Sequence, residues 1–250
     1  MELTDYLARE GLKDFSLLNW DAVKSALTEE QLRVHHDLAD RFCAYNVQEN
    51  ISKFYDHAVG EGIDLLYESL YWDRALSSSP LILAELKRSS SVLDIGCNSG
   101  LKTVFYALNM PDTQFTGIDL SNVSLKKARE RAEKHGCKNV RFENVDMTKM
   151  EFDQQFDAVL SENSLFETHC IYYSFKKEEH PMFSQKFERC YKALSKGKFI
   201  VFINPGDFNE IKEYFLDFSK NVGFFNPVVK PVNFIFEGKK RRSMLFVAEK

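Results

Sequence analysis

Past Ser91 the chain alternates short apolar runs with longer amphipathic ones, and that alternation limits the fold more than any other feature. Val92–Ile95, Gln114–Asp119, Val140–Val145, Phe156–Ser161, Lys198–Asn204, Val228–Phe236 and Met244–Glu249 read as strands. Lys102–Leu108, Asn122–His135, Met182–Leu194 and Asn209–Asn221 read as helices among them. A helix after each strand returns the chain to the same end of the sheet, so the order predicts a parallel sheet covered on both faces. The last two strands are separated only by "GKKRR", too short for a crossover, which predicts an antiparallel hairpin. Pro227 and Pro231 restrict the sixth strand to an edge.

Before residue 88 no strand pattern occurs. Thr28 with Gln31 three residues on can form a capping box for a helix running to about Tyr45. "NISKFYDHAV" ends at Gly60 and Gly62, a helix stop. "LLYESLYWDRAL" and "PLILAELKRS" follow, with Pro80 read as the first turn of its own helix. The expected division is a helical cap or lid over residues 1–87 and an α/β domain over 88–250.

Composition excludes several classes. A net charge of −4 gives no general attraction to nucleic acid or anionic lipid. Five cysteines without a Cys-x-x-Cys pair read as free thiols in a reducing compartment, with no metal site expected. The acidic amphipathic start is unlike a secretory signal, and no apolar run is long enough to span a bilayer. A cytoplasmic protein that does not engage a membrane or nucleic acid is the expectation.

The first strand ends on an acid and runs into a loop of small residues, "VLDIGCNSG". In an open α/β sheet, ligands bind beyond the carboxyl ends of the strands. Gly96 and Gly100 would allow close backbone approach there. The string Asp94-x-Gly96-x-Asn98-x-Gly100 differs from a dinucleotide fingerprint, and no Gly-Lys-Ser/Thr of a P-loop follows. A leading acid suits a ligand that carries an ammonium group. Asp119 closes the second strand, placed to accept from two ribose hydroxyls. Asp146 follows the third and could accept from an adenine amino group, with the Met147 backbone N–H on a ring nitrogen.

These stretches resemble the class I S-adenosylmethionine-dependent methyltransferases. "VLDIGCNSG" is similar to their first motif, with Asn98 where Gly is commonest; "GIDLS" and "NVDM" are similar to their ribose and adenine motifs. "FDAVLSENSLFE", "LSKGKFIVFI" and the final hairpin resemble the rest of that fold. The resemblance implies a seven-stranded, mostly parallel, Rossmann-like sheet with a terminal antiparallel hairpin. It implies S-adenosyl-L-methionine as cofactor, held by Asp94, Gly96, Cys97, Asn98, Gly100, Asp119, Leu120, Asp146, Met147 and Ser161. A helix ahead of the first strand often covers the cofactor in this family, so Arg74 could pair with the methionine carboxylate and Tyr71 pack on the sulfonium.

Glu162 and His169 are the candidate general bases. Glu162 and Glu167 also faintly resemble the paired glutamates of arginine methyltransferases. The expected activity is methyl transfer to a small molecule with an apolar or aromatic part. A protein methyltransferase and a catalytically silent binding protein stay open as alternatives. His35 and His36 read as ordinary helix residues, and "GKKRR" as a solvated hairpin tip. The acceptor atom and the oligomeric state are not fixed by the sequence.

Overall fold

The computed structural model describes residues 1–44, 48–165, 180–205 and 207–250. Strands β1 Ser91–Ile95, β2 Gln114–Asp119, β3 Val140–Asn144, β4 Phe156–Glu162, β5 Leu194–Ile203, β6 Phe225–Phe236 and β7 Lys239–Glu249 form one sheet. Its order is β3-β2-β1-β4-β5-β7-β6. The first five strands are parallel, and β7 is antiparallel to both β5 and β6. The sheet is therefore the seven-stranded, mostly parallel one expected, with the proline-bearing β6 at an edge.

Among the described residues, six α-helices and a short 3-10 helix at Lys24–Ala26 precede β1; the α-helices are α1 Leu3–Arg9, α2 Trp20–Val23, α3 Glu29–Ala44, α4 Gln48–Gly60, α5 Ile63–Leu70 and α6 Trp72–Leu86. Helices α7 Leu101–Asn109, α8 Asn122–Lys134, α9 His180–Ala193 and α10 Phe208–Val222 follow. The capping box forms at α3: the Thr28 N–H donates to Gln31 Oε1 at 2.8 Å, and the Gln31 N–H to Thr28 Oγ1 at 3.2 Å. Apolar clusters lie on both faces of the sheet. One joins Tyr6, Ile82 and Val104 to Val92 and Leu160, and the other joins Phe187 and Phe215 to Phe199 and Phe246.

Two local expectations are corrected. Pro80 does not begin a helix; it sits inside α6. The serines before it hold that helix through tertiary bonds instead, since Ser78 and Ser79 are fully buried and meet Glu162 and Tyr106. The basic run is not the turn either. The chain reverses at Glu237–Gly238, both at positive φ, and Lys239–Arg242 already pair with β6 as strand.

That hairpin matters for position. Met244 on β7 pairs with Ile203, the last residue of β5, while Lys239–Ser243 pair only with β6. The hairpin thus overhangs the carboxyl edge of the sheet by ~15 Å, at ~3.3 Å per residue. Helix α6 fastens it: Asp73 Oδ2 accepts from the Ile235 N–H at 2.6 Å, and Tyr71 stacks on Phe236 at 4.4 Å.

Candidate active site

A cavity of about 860 Å³ opens at the carboxyl edge, between the strand ends, helices α3 to α6 and the hairpin overhang. Asp94, Gly96, Cys97, Asn98, Asp119, Leu120, Met147, Glu162, Tyr71 and Arg74 all line it. Ten of the residues expected from sequence therefore meet in one place.

The loop after β1 is built around left-handed backbone. Gly96 has φ of 73°, and a Cβ there would lie 2.3 Å from the Ser164 Cβ. Gly96→Ala is expected to cost about 2 kcal/mol in unfolding free energy, from backbone strain and displaced Ser164 together. Urea unfolding of the two proteins measures it. Asn98 also adopts positive φ, 48°, which a short amide side chain tolerates. Its N–H donates to Asp119 Oδ2 at 2.9 Å, and its Oδ1 accepts from Ser124 Oγ at 2.9 Å.

Asp119 thus ties two loops together, because its Oδ1 accepts from the Ser121 N–H at 2.9 Å. It is not the cap of α8; Ser121 is, accepting from the Ser124 N–H. Burial pushes the Asp119 carboxyl above its usual range, against the pull of those backbone donors. Asp94 is buried, accepts from Thr103 Oγ1 at 2.5 Å, and makes no ion pair among the described residues. Burial pushes its carboxyl up to about 7, with the nearby Glu162 carboxylate adding to the shift. Burial also raises the Cys97 thiol well above its ordinary value, so it is a small wall residue and no nucleophile.

Arg74 is the counterpart of Asp94. It is 4% exposed, and its guanidinium lies 3.7 Å over the Tyr71 ring. Its Nε has no hydrogen-bond partner, and no carboxylate among the described residues pairs with it. Glu162, by contrast, is fully engaged: it pairs with Lys102 and accepts from Tyr106 Oη at 2.8 Å and from Ser78 Oγ at 3.4 Å. A carboxylate held by three donors is fixed in orientation at the end of β4. His169, its expected partner, and Glu167 lie outside the described residues.

Three expected cofactor residues do not line the cavity. Gly100 turns the chain into α7 at φ of 68°, and a Cβ there would lie 2.7 Å from the Ala128 Cβ. Packing against α8 is one reason for glycine at this position. The Asp146 Oδ1 accepts from the Thr148 N–H and Oγ1 at 2.8 and 2.7 Å, so the acid shapes the turn that brings Met147 and Thr148 to the wall. Ser161 is fully buried and accepts from the Leu165 N–H at 3.1 Å, bracing the loop after β4.

Three other groups line the cavity: His35, read from sequence as an ordinary helix residue, Asp64, not singled out there, and the cations of the run read as a solvated tip. His35 is 1% exposed and lines the cavity; its Nε2 meets Tyr67 Oη at 3.1 Å and its Nδ1 has no partner. Burial, with His57 and His36 close by, pushes its imidazole down to about 4. Asp64 accepts from Ser99 Oγ at 3.0 Å, and burial raises its carboxyl to about 6. Lys240, Arg241 and Arg242 form part of the cavity mouth. The doublet at 35–36 was the one available signal for the first; the other two depend on tertiary position.

Among the described residues, no group of three His, Cys, Asp or Glu side chains could hold a metal ion. Likewise no helix is long and apolar enough to cross a membrane. The described cysteines, Cys97, Cys137 and Cys190, are free thiols.

The profile of a methyltransferase domain matches residues 86–222, more than half of the chain, and the protein belongs to that family. Among curated proteins, the malonyl-acyl-carrier-protein O-methyltransferase of Acetivibrio thermocellus is 32% identical over 81 residues, 32% of this chain and 27% of that protein. The ribosomal RNA small subunit methyltransferase G of Bacteroides fragilis is 29% identical over 136 residues, 54% of this chain and 60% of that one. The chain thus spans less than two thirds of the length of either relative. Among solved structures, magnesium protoporphyrin IX methyltransferase from Synechocystis, with SAH bound, superposes with a TM-score of 0.57 at 14% identity. That match covers 78% of this chain and 97% of that one, and it supports the fold.

Proposed function

We propose that the protein is an S-adenosylmethionine-dependent methyltransferase acting on a small molecule with an apolar or aromatic part. One observation carries the reading. The cavity holds a buried acid, Asp94, and a buried base, Arg74, neither in an ion pair among the described residues. Unpaired buried charges cost several kcal/mol, so both call for partners from outside the chain. An α-amino acid supplies them together, its ammonium to Asp94 and its carboxylate to Arg74.

The remaining cofactor assignments follow the walls. Asp119, with lone pairs left over from its two backbone bonds, accepts from ribose hydroxyls. Leu120 and Met147, which line the cavity, flank the base in this reading, with the Met147 N–H as donor to a ring nitrogen. Bound S-adenosylmethionine would supply an activated methyl group, whose bond to sulfur breaks toward sulfur as the acceptor's lone pair takes the carbon. The chain's own part is to position and desolvate. Glu162, fixed by Lys102, Tyr106 and Ser78, sets the charge at the end of β4. The aromatic walls, Phe42, Phe54, Tyr55 and Tyr67 among them, favour an acceptor with an apolar part and exclude water.

Titration calorimetry with S-adenosylmethionine and S-adenosylhomocysteine tests the reading; absence of heat from both, in folded protein, would reject it. The pH dependence should carry Asp94's signature. An ammonium favours the ionised carboxylate, which predominates only above about pH 7 in the free protein. Affinity should therefore rise roughly eightfold between about pH 6 and pH 7.5, and Asp94→Asn should flatten that rise.

Residues 1–87 and the segment after Ser161 are proposed to act together as a lid that selects the acceptor. Cofactor binding should then slow amide hydrogen exchange across Tyr67–Arg74. Slowing confined to the loops at Gly96, Asp119 and Asp146 would make the helices a scaffold only.

A further inference from the structure

We propose that the methyl acceptor is an anion, carrying a carboxylate or phosphate group that is read by Lys240, Arg241 and Arg242 on the hairpin overhang. The inference rests on the proposed cofactor reading and concerns the other half of the same cavity. The strand order divides the carboxyl edge in two. Asp94 and Asp119 belong to β1 and β2, on the side that continues to β3; Glu162 ends β4, and beyond it come β5, β7 and β6. With the ammonium and ribose groups placed by β1 and β2, and the carboxylate on Arg74 behind the Tyr71 ring, the space from Glu162 toward β5 and β7 is left for the acceptor.

That half has a consistent chemistry. Its wall is apolar where Tyr71 stacks on Phe236, and its mouth is cationic where Lys240, Arg241 and Arg242 line the cavity. None of the three makes an ion pair with the described residues, although two acids lie close in the chain or on the neighbouring helix. Asp73 is turned to the Ile235 N–H, and Glu237 Oε1 accepts from the Trp20 N–H at 2.9 Å. The acids near the hairpin thus serve its backbone connections and leave the cations unneutralised.

Edge protection does not account for the charges. The edge strand is β6, and its Lys230 is already paired with Glu85 at 2.9 Å. The three cations sit on β7, in the part that extends past β5 over the cavity. The protein as a whole carries a net charge of −4, so a cationic mouth is a local feature against the overall charge. A field of this kind concentrates anions at the opening and orients them with the apolar part inward.

The test uses the full chain saturated with S-adenosylhomocysteine. Phenyl phosphate and benzoate are titrated against it by calorimetry, beside the neutral phenol and benzamide. At least one acid should bind ten times or more tightly than its neutral counterpart, and which one does distinguishes phosphate from carboxylate. The advantage should shrink as salt is raised. The triple variant K240Q/R241Q/R242Q should lose it, with affinity for S-adenosylhomocysteine unchanged within twofold. Equal binding of acids and neutrals, no binding of any probe, or acid binding that survives in the triple variant overturns the proposal. So does a ribosomal RNA hairpin that binds through these residues while the small acids do not. Failure of S-adenosylhomocysteine itself to bind would instead overturn the cofactor reading, which separates the two outcomes.

Discussion

Replacing Arg74 with methionine is expected to weaken cofactor binding by about 3–4 kcal/mol while leaving the fold as stable as before, or more so. The guanidinium is buried against the Tyr71 ring with no anion among the described residues. A cation–π contact of ~2 kcal/mol offsets only part of the cost of holding that charge out of water. Methionine keeps the length and the packing and removes the charge. Stability and binding should therefore move in opposite directions, which a residue present only for packing would not produce. Arg74→Lys should fall between, because an ammonium keeps the charge without the planar fork that matches a carboxylate. Thermal unfolding of the free protein and calorimetry with S-adenosylhomocysteine read the two quantities. A lower Tm with an unchanged Kd would assign Arg74 to the architecture alone.

The second large effect is expected far from the ligand. Glu10→Ala should destabilise the protein by about 3 kcal/mol. Glu10 ends α1, and its side chain is 6% exposed. Its Oε2 accepts from Arg131 at 2.6 Å, and its Oε1 accepts from Lys134 at 2.8 Å and meets His135 Nε2 at 2.7 Å. Arg131 also donates to the Ser99 carbonyl in the loop after β1. Removing the acid strands a buried guanidinium and loosens both the N-terminal helix and that loop.

The acid limb of stability gives a second readout. Hydrogen bonds from Lys134, Arg131 and His135 outweigh burial and hold the Glu10 carboxyl down at about 2, against an ordinary value of 4.5. A lowered carboxyl stabilises the fold at pH above the ordinary value, and that contribution is lost as pH falls toward 2. Chemical unfolding from about pH 6 to pH 3 should show this loss in the parent and a shallower one in Glu10→Ala. Equal slopes would move the cause to other carboxylates.

Much of the sheet could be read in advance because its signals are local. β1, β2 and β5 end as apolar runs closed by Gly96, Asp119 and Asn204, while α8 and α10 begin at the capping side chains of Ser121 and Asp207 and α7 at a glycine turn. Boundaries agree within a residue or two for β1 to β4. They slip at β5 and at the hairpin, where Leu194–Gly197 and Lys239–Ser243 are polar or mixed and take strand form only by pairing with neighbours already in place. Pro80 lies inside α6, beside buried serines that meet Glu162 and Tyr106, so its place too depends on tertiary contacts.

The site divides in the same way. By itself the sequence determined the open α/β sheet, the Gly-rich loop at its carboxyl edge, and the acids Asp94 and Asp119 beside it. These follow from periodicity and from residues whose backbone needs are intrinsic. Only the tertiary structure decided which polar groups are already bonded within the protein and which line the cavity without an ion-pair partner among the described residues. It bonded Asp146 to Thr148 and Ser161 to the Leu165 N–H, engaged Glu162 with three donors, left Arg74 without an anion among the described residues, and brought Lys240, Arg241 and Arg242 to the cavity. A side chain's charge is written in the sequence; whether that charge is already paired depends on what long-range folding places within about 4 Å of it, and that distance decides its chemistry.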